Sequence, residues 1–491
     1  MAIRTYEEFK ESLRKMRPNI HKFGELIEDV TTHPATKRTI EGHGQIFKLA
    51  NDPEFKDYVT THSDLIDEPI SRYLSVIKSP EDQIANSKMK RLIFQKTGTC
   101  TGGRCAGWTA LNAMYATTYD MDQALGTDYH QRFLEWLKDA QKRDITVSGA
   151  LTDPKGDRTK KPHQQEDPDM NLRVVETRDD GIVVRGAKVM ICGIAAANEI
   201  FVLPGSAYRE EDKDYAISFV IPKDIDGLTI VETRHPSDGR EIEEKSSFDV
   251  PVADGGITQA FLFFEDVFVP KERVFMCGES KFTGPAVVSF ILPYRSAIGA
   301  CVAGQGDIKL GAAVLTARSN GLADKVFADK LTQMAINNET TFAVGIAAAA
   351  LGKKHPSGAW QPNPLLANVN KVHVATLPYE TSRIAQDIAG GIGETGCMPS
   401  AVDFDDPNYG HLVKKYMKAA KSAESRVKAA RMVEWLTVGA GVPGCMHGGG
   451  SPDGAKMFVR LFYGTEKSVE MVKRLAKIEE DIPDPGKKPR K

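Results

Sequence analysis

The stretch Leu151-Thr152-Asp153-Pro154-Lys155-Gly156-Asp157-Arg158 marks the point where the hydrophobic period of this 491-residue chain changes. Before it, from residue 6 to about 143, apolar residues recur at helical spacing, as in Leu111, Met114, Tyr115 and Tyr119, and Ser79-Pro80-Glu81-Asp82 reads as a helix start. After it the runs are short and β-rich: Leu172-Arg173-Val174-Val175, Gly181-Ile182-Val183-Val184, Ile200-Phe201-Val202-Leu203, Tyr215-Ala216-Ile217-Ser218-Phe219-Val220 and Ala260-Phe261-Leu262-Phe263-Phe264, separated by turn residues. Past Gly284-Pro285 the helical rhythm returns. Leu331, Met334, Asn338, Phe342, Ile346 and Ala349 fall on one face, and long helices are expected over 364–390 and 412–436. The order predicts an α+β protein with a helical domain over 1–145, a β domain over 146–283, a helical bundle over 284–480 and a disordered tail over 481–491.

Composition narrows the partners. Lys and Arg total 64 against 66 Asp and Glu, a net charge of -2, which offers no field to hold nucleic acid or an anionic membrane. The first 18 residues are charged and lack the apolar core of an export signal, so a cytoplasmic location is expected. The longest nearly uncharged apolar run, 342–351, is about half of the roughly 20 residues that span a bilayer, and reads as buried helix. Seven cysteines are too sparse for a disulfide scaffold and are expected as thiols, ligands or redox groups.

Three segments carry chemistry. In the opening loop, Thr152 and the backbone N–H groups around Gly156 can donate to a ring or phosphate, and Lys155 and Arg158 can pair with pyrophosphate; the same residues also make a good solvated turn. Asp387-Ile388-Ala389-Gly390-Gly391-Ile392-Gly393-Glu394-Thr395-Gly396 is either a helix cap with its loop or a place where backbone approaches a flat ligand. Cys100-Thr101-Gly102-Gly103-Arg104-Cys105 precedes a helix, with Cys301 far away in sequence; each thiol is either a small buried hydrophobe or a ligand of an anionic cluster.

The stretch 153–158, followed by Gly181-Ile182-Val183-Val184-Arg185-Gly186-Ala187-Lys188 and Lys213-Asp214-Tyr215-Ala216, resembles the flavoprotein family that joins 4-hydroxybutyryl-CoA dehydratase to the 4-hydroxyphenylacetate 3-hydroxylases, and the similarity runs from about residue 6 to 475. The resemblance implies an acyl-CoA dehydrogenase-like fold whose middle domain is a β-barrel, with FAD between the β domain and the bundle. By it, Leu151, Thr152, Asp153, Pro154, Lys155, Gly156, Asp157 and Arg158 contact FAD, Met190, Ile191 and Cys192 lie along the isoalloxazine, and Gly390 and Gly391 hold FAD across a subunit boundary. A homo-oligomer, dimer or tetramer, follows from the last point.

Arg104-Cys105-Ala106-Gly107 with Ala110-Leu111-Asn112-Ala113 is similar to the dehydratase branch, whose [4Fe-4S] cluster is held by three cysteines and a histidine; Cys100, Cys105 and Cys301 fall at or beside the cysteine positions. The histidine corresponds to Tyr294. The family's two active-site carboxylates fall on Gln259 and Gly444, its lysine on Val302, its tyrosine on Ile298 and its threonine on Cys192. The hydroxylases' histidine falls near Gly149, and their arginine has a counterpart in Arg104. The expected function is therefore a lyase or isomerase acting on a short acyl-CoA, with FAD, a possible [4Fe-4S] cluster, and Tyr294, Cys192 and Arg104 as catalytic candidates. The alternative is an FADH2-dependent aromatic monooxygenase.

Overall fold

The computed structural model describes residues 3–100, 102–234, 258–438 and 446–484. The chain opens with α1 (Tyr6–Arg14), β1 (Ile20–Lys22), β2 (Glu25–Ile27), α2 (Pro34–Ala50), α3 (Lys56–Val59) and the hairpin β3 (Thr60–Ser63) and β4 (Glu68–Ser71). Three longer helices follow: α4 (Pro80–Thr97), α5 (Gly102–Leu125) and α6 (Tyr129–Lys142). The start read at Ser79 is a capping box, in which the Ser79 side chain accepts from Asp82 N and Asp82 accepts from Ser79 N, with Pro80 at the first helical position.

The middle region holds β5 (Val147–Ala150), β6 (Arg173–Arg178), β7 (Gly181–Cys192), β8 (Glu199–Val202), β9 (Ile217–Pro222), β10 (Leu228–Glu232), β11 (Gln259–Pro270) and β12 (Val274–Cys277). They form a six-stranded sheet in the order β2-β1-β10-β11-β7-β6 and a four-stranded sheet in the order β12-β9-β8-β5. The expected barrel is corrected by this order: closure requires the end strands to pair, and β2 and β6 remain the two edges of one sheet while β12 and β5 remain the edges of the other, among the described residues. The division at 145 is also crossed, because β1 pairs in parallel with β10, Ile20 opposite Ile230.

At the β5 edge a helix takes the place of a further strand. A Cβ on Gly149 would stand 2.6 Å from Ala106 O, one on Gly103 would stand 2.6 Å from Cys192 O, and one on Gly107 would collide with Val147 O. The backbone of α5 therefore lies in bare contact with β5 and the end of β7.

The bundle comprises α7 (Ser280–Ser319), α8 (Ala328–Ala350), α9 (Pro364–Val374), α10 (Leu377–Ala389), α11 (Gly391–Thr395), α12 (Gly410–Met417), α13 (Ala423–Val438), α14 (Pro452–Tyr463) and α15 (Thr465–Ala476). The 40-residue α7 has the length and apolarity to cross a bilayer, but 72% of its most apolar window is buried inside this protein, which makes it the core helix of the bundle. It begins four residues before Gly284, with Pro285 inside its early turns. The helices expected over 364–390 and 412–436 are each broken. Pro378, which has no N–H to give, opens α10, and Ser422 caps α13 by accepting from Ser425 N at 3.2 Å.

The buried face of α8 consists of Met334, Asn337, Asn338, Thr341, Gly345, Ala348 and Ala349, while Phe342 and Ile346 are only partly covered. The reason is close approach: Gly299 of α7 meets Thr341 O and Gly345 of α8 meets Ser296 O, so bulky side chains are displaced to the flanks of the crossing. The tail beyond Asp484 lies outside the described residues.

The α5 seam sets a prediction. Gly107→Ala should destabilise the protein by about 1–3 kcal/mol through overpacking against the Val147 carbonyl. Gly311→Ala, in helix α7 with nothing within 4 Å of the added carbon, should stabilise it by about 0.5–1 kcal/mol. Thermal unfolding of the two variants beside the parent checks both signs; equal melting temperatures would mean that the seam tolerates a side chain.

Candidate functional site

The end of α4 shapes the site. Gly98 closes that helix in the left-handed conformation, at φ 65°, and α5 starts at Gly102. Lys90 of α4 lies against the first turns of α5, where its Nζ donates to Cys105 Sγ at 2.9 Å and lies 4.7 Å from the Trp108 ring centroid. Lys90 is 2% exposed.

The third wall is α7, which presents Tyr294 and Cys301. Burial first, and then the sulfurs of Cys105, Cys100, Cys192 and Cys301, push the Tyr294 phenol well above its ordinary value. Cys100 is likewise pushed well up, by burial and then by Cys301, Cys105 and Cys192. Cys192 is raised to about 11, chiefly by burial, with the hydrogen bond from Gln259 Nε2 at 3.6 Å opposing. The fold thus gathers Cys100 and Cys105 from the α5 start, Cys301 and Tyr294 from α7 and Cys192 from β7 around one chamber.

Around the phenol the wall is apolar. Tyr294 packs with Ile298, Val302 and Val374, and stacks on Phe290 with ring centroids 5.8 Å apart. A turn at Gly449, φ +71°, closes over it so tightly that an added Cβ would meet the phenol ring at 2.6 Å. Lys371 holds that turn by donating to Gly448 O at 2.6 Å and Met446 O at 2.9 Å, and Arg295 Nε donates to Gly449 O at 3.0 Å. Gly444 lies outside the described residues.

The opening loop is anchored from beneath. Asp153 points inward, ion-paired to Lys188 Nζ at 2.6 Å and accepting from Tyr208 Oη at 2.9 Å. Lys188 also donates to the carbonyls of Leu151 at 2.9 Å and Leu203 at 3.0 Å, and Val189 N donates to Thr152 O at 2.8 Å. Asp153 therefore serves the loop's shape, while Leu151, Thr152 and Pro154 are half-buried and Lys155, Gly156, Asp157 and Arg158 are exposed. Beside them Met190 is 54% exposed at a strained φ of +59°, between Val189 and the buried Ile191.

The structure brings residues 151–158 and 190–192 together, and Cys192 joins them to the thiol chamber. Gly390 and Gly391 stand on an exposed turn between α10 and α11, with nothing within 4 Å of a Cβ built on either. Arg104 faces away from the sulfurs: its guanidinium lies 4.7 Å from the Phe47 ring and 5.2 Å from that of Tyr73, with Nη2 donating to Ser71 Oγ at 3.2 Å. Sequence reading missed Lys90, whose place on α4 looks like an ordinary helix surface, and the turn at Gly449, for which the run Gly448-Gly449-Gly450 was a usable signal.

Comparison with known proteins places this arrangement. A family model described as 4-hydroxyphenylacetate 3-hydroxylase N terminal matches residues 5–276, and one described as 4-hydroxyphenylacetate 3-hydroxylase C terminal matches residues 287–477. The chain is 40% identical over 490 residues to the 4-hydroxybutyryl-CoA dehydratase/vinylacetyl-CoA-Delta-isomerase of Clostridium aminobutyricum, covering 96% of this chain and 99% of that protein. Among solved structures, an oxygen-tolerant archaeal 4-hydroxybutyryl-CoA dehydratase from N. maritimus matches with a TM-score of 0.94 at 36% identity, over 99% of this chain and 97% of that one. The oxygenase component of 4-hydroxyphenylacetate 3-monooxygenase complexed with FAD matches in fold, with a TM-score of 0.85 at 23% identity, over 96% of this chain and 98% of that one. The architecture is accordingly acyl-CoA dehydrogenase-like, and the chain belongs to the 4-hydroxyphenylacetate 3-hydroxylase family, sharing nearly its whole length with the 4-hydroxybutyryl-CoA dehydratases within it.

Proposed function

We propose that this protein is a flavin-dependent enzyme of the dehydratase and isomerase type that acts on a short acyl-CoA, with FAD along residues 151–158 and 190–192 and an iron-sulfur cluster on Cys100, Cys105 and Cys301. The observation that carries the reading is the convergence of those three thiols, from two distant parts of the chain, on Tyr294 and on the β7 end beside the anchored loop. Among the described residues no three His, Cys, Asp or Glu side chains stand close enough to share one metal ion. A cubane asks for something different, since each ligand binds its own iron, and a set of thiols is the donor chemistry it takes.

When bound, FAD would relay electrons and a cluster with an iron not saturated by thiolate would act as a Lewis acid toward a substrate hydroxyl. The chain's own residues supply the rest. Tyr294 Oη keeps its proton at neutral pH, because burial raises it, so it donates a hydrogen bond or a proton to the acyl end of the substrate. Phe290, Ile298, Val302 and Val374 exclude water from that end. Lys188 and Tyr208 hold Asp153, and through it the backbone that faces the flavin. Gly390 and Gly391, exposed in one chain, are proposed to complete the flavin site of a second copy.

A specific contact weighs against the hydroxylase reading. Near the position of the hydroxylases' histidine stands Gly149, where even a Cβ would press on the Ala106 carbonyl at 2.6 Å. That strand position has no room for an imidazole.

Three outcomes are expected. Protein purified without oxygen should carry flavin and about four irons per chain, should convert 4-hydroxybutyryl-CoA or move the double bond of vinylacetyl-CoA into conjugation, and should leave 4-hydroxyphenylacetate unchanged when given reduced FAD and oxygen. Hydroxylation of the phenol would overturn the proposal. Tyr294→Phe should lower turnover by about 10²–10⁴-fold with iron content unchanged, as loss of a proton donor does; unaltered turnover would remove Tyr294 from the chemistry. Lys188→Met, which leaves the buried Asp153 carboxylate without its cation, should cost about 3–5 kcal/mol of stability and weaken FAD binding, and adding Asp153→Asn should recover much of both. Unchanged FAD affinity in the single variant would show that the loop does not need this anchor.

A further inference from the structure

Buried ammonium groups are expensive, and most of those in this protein show how the cost is met. Lys188 faces the Asp153 carboxylate and two carbonyls, Lys371 faces the carbonyls of Met446 and Gly448, and Lys223 donates to Ala195 O at 3.0 Å. Lys90 is different. Its contacts are the sulfur of Cys105 at 2.9 Å and the face of Trp108, three residues further along the same helix. Neither a neutral thiol nor an indole offsets several kcal/mol of lost hydration.

The balance of charge follows the same contrast. Burial draws Lys223 down to about 8, and it also lowers Lys188 in spite of Asp153. The hydrogen bond that Lys90 makes is to the sulfur of Cys105, at 2.9 Å. The hydrogen-bond acceptor of this ammonium is a sulfur, at one of the three candidate ligand positions. Val302, next to Cys301 on α7, is apolar and 3% exposed, so the chamber's cation arrives from α4.

We propose that Lys90 is a positioning residue of the thiol chamber: it donates a charge-assisted hydrogen bond to Cys105 Sγ as that sulfur ligates iron, which holds the ligand in place and makes the bound cluster easier to reduce. The inference rests on the cluster proposed above and concerns how this chain tunes it. Hydrogen bonds and positive charge at ligand sulfur draw electron density from a cluster and favour its reduced form. The geometry also fixes the route: Gly98 ends α4 in the left-handed conformation, and from α4 the ammonium reaches a sulfur on the first turns of α5.

The test uses the full chain purified anaerobically, as the parent and as Lys90→Met, Lys90→Gln and Lys90→Arg. Iron and acid-labile sulfide per chain, thermal unfolding, and the midpoint potential of the cluster followed by electron paramagnetic resonance are read for each. The potential is expected to fall in Lys90→Met, to fall less in Lys90→Gln, which retains a donor without the charge, and to return toward the parent in Lys90→Arg. A folded Lys90→Met that holds less iron than the parent also supports the proposal. An unshifted potential in Lys90→Met or Lys90→Gln with full iron overturns it while leaving the cluster in place. Should Lys90→Met fail to fold, Lys90→Gln decides by the same criterion. Parent protein without iron overturns the cluster itself, and this proposal with it.

Discussion

Everything in the site follows from a contact with no side chain in it. At Gly103, Gly107 and Gly149 the backbone of α5 rests directly on β5 and on the Cys192 end of β7. Ordinary side chains at these positions would hold helix and sheet apart. Contact at backbone distance instead makes one wall serve two purposes: its sheet side carries the anchored loop and Met190, and its helix side carries Cys105 and, just before the helix, Cys100. The loop-bearing and the thiol-rich halves of the site are neighbours because three residues lack a Cβ.

The second partner in this arrangement is α7. Its crossing with α8 is again made at glycine, with Gly299 and Gly345 meeting carbonyls of the opposite helix, and Gly304 approaches Arg91 O of α4. Drawn in from both sides, α7 brings Tyr294 and Cys301 to the α5 wall. Rigid elements meeting at backbone distance are a precise way to hold several ligands, since loops would leave the sulfurs free to drift.

The order of helical, β and helical segments was legible because hydrophobic period is a local property, and the capping box at Ser79 was legible for the same reason. What could not be read was non-local. The pairing of Ile20 with Ile230 joins segments more than two hundred residues apart, and the cover that α5 gives the β5 edge is a contact between separate elements. The α8 face was legible at Met334, Asn338 and Ala349 but not at its flanks, since amphipathic spacing favours Phe342 and Ile346 whereas the crossing selects Thr341 and Gly345 for their size. In the site, the loop at 151–158 and the three cysteines stood out by residue type. The inward pairing of Asp153 was not legible because nothing local reveals Lys188 beneath it, and Lys90 was invisible because a lysine on a helix is nearly always solvated.

The substitutions in the chamber form a pattern once they are placed in space. Ile298 and Val302 pack with Val374 on the Tyr294 ring, so the wall that the resemblance fills with a tyrosine and a lysine is dry and aliphatic here. Polarity has not vanished from the chamber; it has moved to the sulfurs, to Lys90 behind them and to one phenol that retains its proton. A dry wall strengthens each remaining electrostatic contact, because little water is left to screen it. It also favours a small, uncharged group against the phenol over a charged one. The altered residues are thus consistent with a narrower acyl specificity on the same chemical frame, with Tyr294 at the point where that specificity and the proton inventory meet.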